Sequence, residues 1–134
     1  MSHENVEIVR RLYDLWNSRA FAAAIQLYDP DIEYLRIGSE VPDFECEARG
    51  VDEIRQAVRD YLDVWADYRY EPERIHDLGT RVLVLERHIG RGKRSGIEID
   101  HEVGALFTLR DGLVVRMAQY WDFAEALKAA GLRD

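Results

Sequence analysis

His101 is the residue whose type and place point most directly to chemistry. It is the one polar side chain on an alternating apolar face made by Ile97, Ile99, His101, Val103, Ala105, Phe107 and Leu109. A polar group on such a face must find a hydrogen-bond partner or look into a cavity. An imidazole titrates near neutral pH, which suits proton transfer. We read His101 as facing a hollow interior; a core histidine satisfied by a neighbour or a bound water is the alternative. Its cross-strand partner depends on hairpin register. One register sets Glu86 opposite His101, and a slip of one residue sets Arg87 there and turns every side chain over. The Arg87 register is preferred because it gathers Leu83, Leu85 and Ile89 inward and leaves Glu86 and His88 outward. Arg87 would then stabilise an oxyanion; a surface charge beside Asp100 or Glu102 is its other reading.

Asp122 is the next titratable candidate. Asp122-Phe123-Ala124-Glu125 has the form of a capping box, which makes Asp122 the N-cap of a closing helix. The aromatic residues Trp16, Tyr28, Tyr34, Tyr61 and Trp65 are candidates for one cavity wall, and an apolar pocket with a few polar groups is the usual small-molecule site. Helical spacing also suits them to a packed core. Cys46 stands in an acidic stretch that does not favour thiolate. Arg91–Gly96 lacks the spacing of a phosphate loop, and no cluster of His, Asp and Glu has metal-ligand spacing. Neither a metal nor a cofactor is expected.

The elements that must position these residues follow from periodicity. Val6, Val9, Leu12, Tyr13 and Trp16 mark one face of an opening helix, capped by Ser2 and closed at Asn17-Ser18. A second helix runs from Ala20 to Tyr28 and stops at Asp29-Pro30. Ile32–Ile37 reads as a strand, Gly38–Gly50 as an acidic loop holding Glu40, Asp43, Glu45 and Glu47, and Val51–Trp65 as a third helix. Arg69–Leu78 is an edge or bulged strand because of Pro72. Arg81–Gly90, Ile97–Leu109 and Leu113–Trp121 are strands, with a hairpin tip over Arg91–Gly96 and a tight turn at Asp111-Gly112. Phe123, Ala126, Leu127 and Ala130 give the inward face of a last helix that Gly131 ends. Helices grouped early and antiparallel strands grouped late define an α+β fold.

Composition sets the outer bounds. The chain has 134 residues, enough for one domain, and 47% hydrophobic residues, enough for a core. Eighteen Lys and Arg against 26 Asp and Glu give a net charge of −8, which argues against a nucleic-acid partner. No apolar run approaches the roughly 18–20 residues of a membrane span, and the N-terminus lacks a signal-peptide pattern. One cysteine excludes an intrachain disulfide. A cytoplasmic protein is expected.

Four stretches taken together carry a resemblance: Glu4–Tyr13 with Trp16-Asn17, Leu27–Tyr34, Leu109–Arg116, and Tyr120-Trp121-Asp122 followed by Ala126–Leu132. The sequence resembles the SnoaL-like, or polyketide cyclase-like, branch of the nuclear transport factor 2-like superfamily. The resemblance implies a strongly bent antiparallel sheet wrapped around helices as a cone, a pocket at the open end with the acidic loop over its mouth, and a homodimer formed through the sheet. It also implies an acid/base aspartate near the end of the last strand, a place Asp122 roughly matches. The ketosteroid isomerase pattern fits worse, since Leu12, Leu35 and Ala105 stand near its three working positions. Two functional classes follow. One is a cofactor-independent cyclase, isomerase or dehydratase acting on an apolar, ring-containing molecule, with His101 and Asp122 exchanging protons. The other is a non-catalytic binding protein using the same cavity.

Overall fold

A computed structural model describes residues 2–38 and 44–132. The chain opens with α1 (Ser2–Asn17) and a short α2 (Phe21–Ile25), then β1 (Tyr28–Ile37), β2 (Cys46–Arg49) and α3 (Val51–Asp63). Four long strands follow, β3 (Trp65–Asp77), β4 (Arg81–Gly92), β5 (Glu98–Arg110) and β6 (Leu113–Tyr120), and α4 (Phe123–Ala129) closes the chain. The α+β class read from periodicity is the class observed. The side chain of Ser2, read as a helix cap, lies outside the described residues, as do Glu40 and Asp43 of the acidic loop.

All six strands form one sheet in the order β2-β1-β6-β5-β4-β3. Every neighbouring pair is antiparallel except β1 and β6, which run parallel. Alternation sends Val103, Ala105, Phe107 and Leu109 of β5 to the inner face, where Val9, Leu12, Tyr13 and Trp16 of α1 pack against it; all are buried. Each such side chain contributes roughly 1.5–3 kcal/mol by leaving water. The end of α1 is pinned to β3 by Asn17, whose Nδ2 donates to the Tyr70 carbonyl at 2.7 Å and whose Oδ1 accepts from the Tyr70 N–H at 2.9 Å. The Asp111-Gly112 turn has both residues at positive φ, 54° and 78°, as its sequence requires.

Several boundaries differ from the sequence reading. Tyr28 begins β1 instead of ending α2, and the register shift between Tyr28 and Glu33 absorbs Pro30. The loop Gly38–Gly50 contains a strand, β2, which covers the free edge of β1. Trp65 begins β3 rather than ending α3. Ile97 is 59% exposed, since β5 starts one residue later. Pro72 lies in the edge strand, and the register shifts between Pro72 and Arg74, as the proline demands.

The strongest correction concerns β4. His88, not Arg87, stands opposite His101, and Arg87 stands opposite Glu102. β4 runs on to Gly92, so the tip moves to residues 93–97 and the register shifts one residue beyond the preferred one. Glu86 and His88 therefore point inward, at 0% and 1% exposure. Leu83 turns to the outer face, where α4 covers it with Ala126 and Ala130. Gly104 is what lets α4 sit there. A Cβ at this position would press into the Ala126 Cβ and lie 3.0 Å from Phe123 Cδ1. Gly104→Ala is expected to cost about 1–3 kcal/mol in urea denaturation, with part of the loss recovered when Ala126→Gly is added.

Candidate functional site

The bend of the sheet, closed by α2 and α3, leaves a cavity of about 490 Å³. Its buried walls come from Trp16, Tyr28, Tyr34, Tyr70, Met117 and Gln119, and its outer edge from exposed residues including Arg19, Arg55, Arg59 and Lys93. On α3 the spacing of Ile54, Val58 and Leu62 turns one apolar stripe to the cavity. Trp16 donates its indole N–H to the Tyr28 hydroxyl at 2.9 Å and stacks on Phe107, so both rings are fixed against the sheet. Burial pushes the Tyr28, Tyr34 and Tyr70 hydroxyls above the usual tyrosine value, partly opposed at Tyr28 by the Trp16 bond and at Tyr34 and Tyr70 by the Arg36 charge. The cavity wall thus presents neutral hydroxyls that donate protons in hydrogen bonds and are poor bases.

Behind that wall runs a buried polar chain. Tyr34 donates to Gln119 Oε1 at 2.8 Å, and Gln119 Nε2 donates to Glu86 Oε1 at 2.8 Å. His88 Nε2 lies 2.9 Å from the same carboxylate oxygen, and His88 Nδ1 lies 2.6 Å from the Tyr68 hydroxyl. The chain ends at Tyr61, whose hydroxyl is 2.8 Å from that of Tyr68. Six side chains from α3 and four strands are joined, with one loose end. Among the described residues Glu86 Oε2 and the nearby Tyr13 hydroxyl have no partner in good hydrogen-bond geometry, and Glu86, as a charge and as a neighbouring acceptor, pushes the Tyr13 titration upward after burial itself. A carboxylate buried this fully needs its donors, because the low dielectric magnifies both their presence and their loss.

Of the five aromatic candidates, Trp16, Tyr28 and Tyr34 line the cavity. Tyr61 does not. It stands on α3 at the flank of the Ile54-Val58-Leu62 stripe, turned to Phe44 and lying under the Arg36 guanidinium, 4.6 Å from the ring centre, and it does not wall the cavity. Trp65 is buried against Tyr61 and Tyr68 and also misses the cavity; it belongs to a strand, so the helical spacing that grouped it with Tyr61 does not apply.

His101 lies on the inner side of β5 but not on the cavity. Its ring stacks on Trp121 at 4.1 Å, and its Nε2 donates to the Trp121 carbonyl at 2.7 Å, so a neighbour satisfies it. The reading that set it against a hollow interior is corrected here: Trp121 fills that space. Arg87 is held by Glu73 at 3.3 Å, Asp100 at 2.6 Å and Glu102 at 3.6 Å. Asp122 Oδ1 accepts from the Ala124 N–H at 3.0 Å and caps α4. The fold does bring His101, Arg87 and Asp122 together, along one open surface groove with Tyr120 and Phe123. Water reaches that groove freely. Asp122→Ala is expected to cost about 1 kcal/mol through the lost cap, read as a lower urea midpoint, and to leave ligand uptake by the cavity intact.

The preferred register of the sequence reading set Glu86 and His88 outward, where the structure buries them, and Gln119 and the cationic edge were missed. The available signal was parity: had Val82 and Val84 been set inward beside Phe107, Glu86 and His88 would have followed them. Among the described residues no three His, Cys, Asp or Glu side chains gather as a metal would need, and no helix is long and apolar enough to cross a membrane.

The model of the SnoaL-like domain matches residues 9–117. The chain belongs to the SnoaL-like family. Solved structures agree on the fold. An NTF2-like protein of unknown function from Burkholderia pseudomallei K96243 is 20% identical, with 93% of this chain and 95% of that chain covered and a TM-score of 0.81. A candidate SnoaL-like polyketide cyclase from Jannaschia sp. CCS1 is 20% identical over 98% and 94% of the two chains, with a TM-score of 0.78. TerC, co-crystallised with polyporic acid, is 20% identical over 93% and 98%, with a TM-score of 0.78. No curated protein matches. At these identities the likeness of this SnoaL-like domain to its neighbours is one of architecture, and architecture does not carry activity.

Proposed function

We propose that this SnoaL-like domain takes up a small, ring-containing molecule in the cavity between α2, α3 and the inner sheet face. The observation that carries this reading is the cavity of about 490 Å³, walled by aromatic side chains and ended by one polar tie, Tyr34–Gln119. Its size falls within the range of drug-sized sites, about 300–1,000 Å³. Gln119 Nε2 spends one proton on Glu86, so its second is available to a ligand oxygen. The carboxylate behind it polarises the amide and strengthens that bond. TerC, of the same architecture, was crystallised with a ring compound, polyporic acid. The test is fluorescence titration with the uncharged probe N-phenyl-1-naphthylamine. Saturable binding, weakened at least ten-fold by Ala22→Trp at the cavity edge, supports the reading; binding that Ala22→Trp leaves unchanged, or none, overturns it.

Cofactor-independent acid–base turnover is a second reading, favoured by one observation: the Glu86–His88 pair lies a single hydrogen bond behind Gln119. The side chains that touch the cavity interior are neutral hydroxyls and an amide, so binding alone is the reading we prefer. Turnover predicts that the protein speeds exchange of the α-hydrogens of 2-tetralone with deuterated water, and that Glu86→Gln abolishes the effect. Absence of any acceleration by the unaltered protein leaves binding as the function.

A further inference from the structure

We propose that the ligand of this cavity is an anion, with its ring body inside and a carboxylate, sulfonate or enolate group held at the edge by Arg19, Arg55 and Arg59. The inference rests on the pocket reading and specifies its ligand class. Four cations line the cavity, Arg19, Arg55, Arg59 and Lys93, against one carboxylate, Asp63. The chain as a whole carries −8, so the local sign runs against the global one. Screening at physiological salt reaches about 8 Å, so an anion entering the cavity meets this edge more than the distant acidic surface.

The pairing of these cations separates them. Lys93 lies 3.8 Å from Asp63, which offsets its charge. The other three have no carboxylate partner among the described residues. Arg19 closes α1 in a left-handed conformation, φ 62°, and its guanidinium donates to the carbonyls of Trp16 and Tyr68. Those neutral acceptors fix its direction and leave its charge uncompensated. Arg55 and Arg59 stand four residues apart on α3, each beside a residue of the Ile54-Val58-Leu62 stripe. Like charges at this spacing repel, and an anion bridging them removes that repulsion. A guanidinium also matches the planar oxygens of a carboxylate or sulfonate better than an ammonium does. The apolar wall beyond supplies no further charge, so the anionic group is set at the opening and the rings within.

Two probes with the same ring system test this: 8-anilinonaphthalene-1-sulfonate, which is anionic, and N-phenyl-1-naphthylamine, which lacks the sulfonate. The sulfonated probe is expected to bind at least ten-fold tighter in low salt. In Arg55→Gln/Arg59→Gln, with folding checked by circular dichroism, the ratio of the two affinities should fall towards one, as it should in high salt. Equal affinities in the unaltered protein, or a ratio the double substitution leaves standing, overturn the proposal while the pocket reading stands. Sulfonate binding that Ala22→Trp does not weaken places the anion outside the cavity and overturns it as well. If neither probe responds to Ala22→Trp, the pocket reading itself has failed.

Discussion

Raising the pH above 10 is expected to unfold this protein steeply. Burial pushes six tyrosine hydroxyls, Tyr13, Tyr28, Tyr34, Tyr61, Tyr68 and Tyr70, above their ordinary value of 10.0. Below pH 10 both the folded and the unfolded chain keep these protons, and stability is whole. Above it the unfolded chain sheds protons that the folded chain retains, so the unfolded state gains and stability falls as pH rises. Each such group adds up to about 1.4 kcal/mol per pH unit to the loss. Domains of this size hold only about 5–15 kcal/mol in total, so several tyrosines acting together exhaust the margin within one or two pH units. The urea midpoint followed from pH 8 upward, with tyrosinate absorbance recorded in parallel, checks this. Tyrosinate should appear together with loss of the near-ultraviolet dichroism. Ionisation of all the tyrosines near pH 10 in a protein that stays folded would refute the buried arrangement.

Glu86→Ala should be the most damaging single substitution in the polar chain. The carboxylate is fully buried and meets the side chains of His88 and Gln119. Removing it leaves His88 Nε2 and Gln119 Nε2 without the acceptor they share, a loss of about 3 kcal/mol. The informative comparison is the double variant Glu86→Leu/His88→Leu. Replacing both members of a buried pair by apolar groups is often close to neutral, so the double variant should be more stable than Glu86→Ala despite its two changes. Urea denaturation of both decides the matter. A loss under about 1 kcal/mol for Glu86→Ala would mean that water enters and takes over the carboxylate's bonds.

The same residue explains where the sequence was legible and where it was not. α1, the β5 alternation, the Asp111-Gly112 turn and the α4 cap were readable because each depends on residues within a turn or two of chain. β4 was not. Val82 and Val84 face α1 while Leu83 lies under α4, so apolar residues occupy both sides of the strand and alternation cannot choose between them. The charged letters Glu86 and His88 then look like surface residues, and only pairing with β5 shows that they are not. β2 was hidden for a related reason: Cys46-Glu47-Ala48-Arg49 has no strand pattern of its own and is held by the edge of β1. Nothing local in the sequence marks the three arginines of the cavity edge, because the hollow beside them is enclosed by segments distant in the chain. His101 was placed on the correct face and given the wrong surroundings, because the stacking partner Trp121 comes from the end of another strand.

The parallel pairing of β1 with β6 has a consequence for how the chain is made. Arg116 reaches Glu33 across 83 positions of sequence, and the edge of β1 that faces β6 stays bare until the last strand has left the ribosome. Contacts this distant form slowly, because the loop must close before any of them can help. An unmatched edge is also where nascent chains stick to one another. Shortening the chain into β6 should therefore harm yield and solubility, since β6 is the piece that seals the first strand into the sheet.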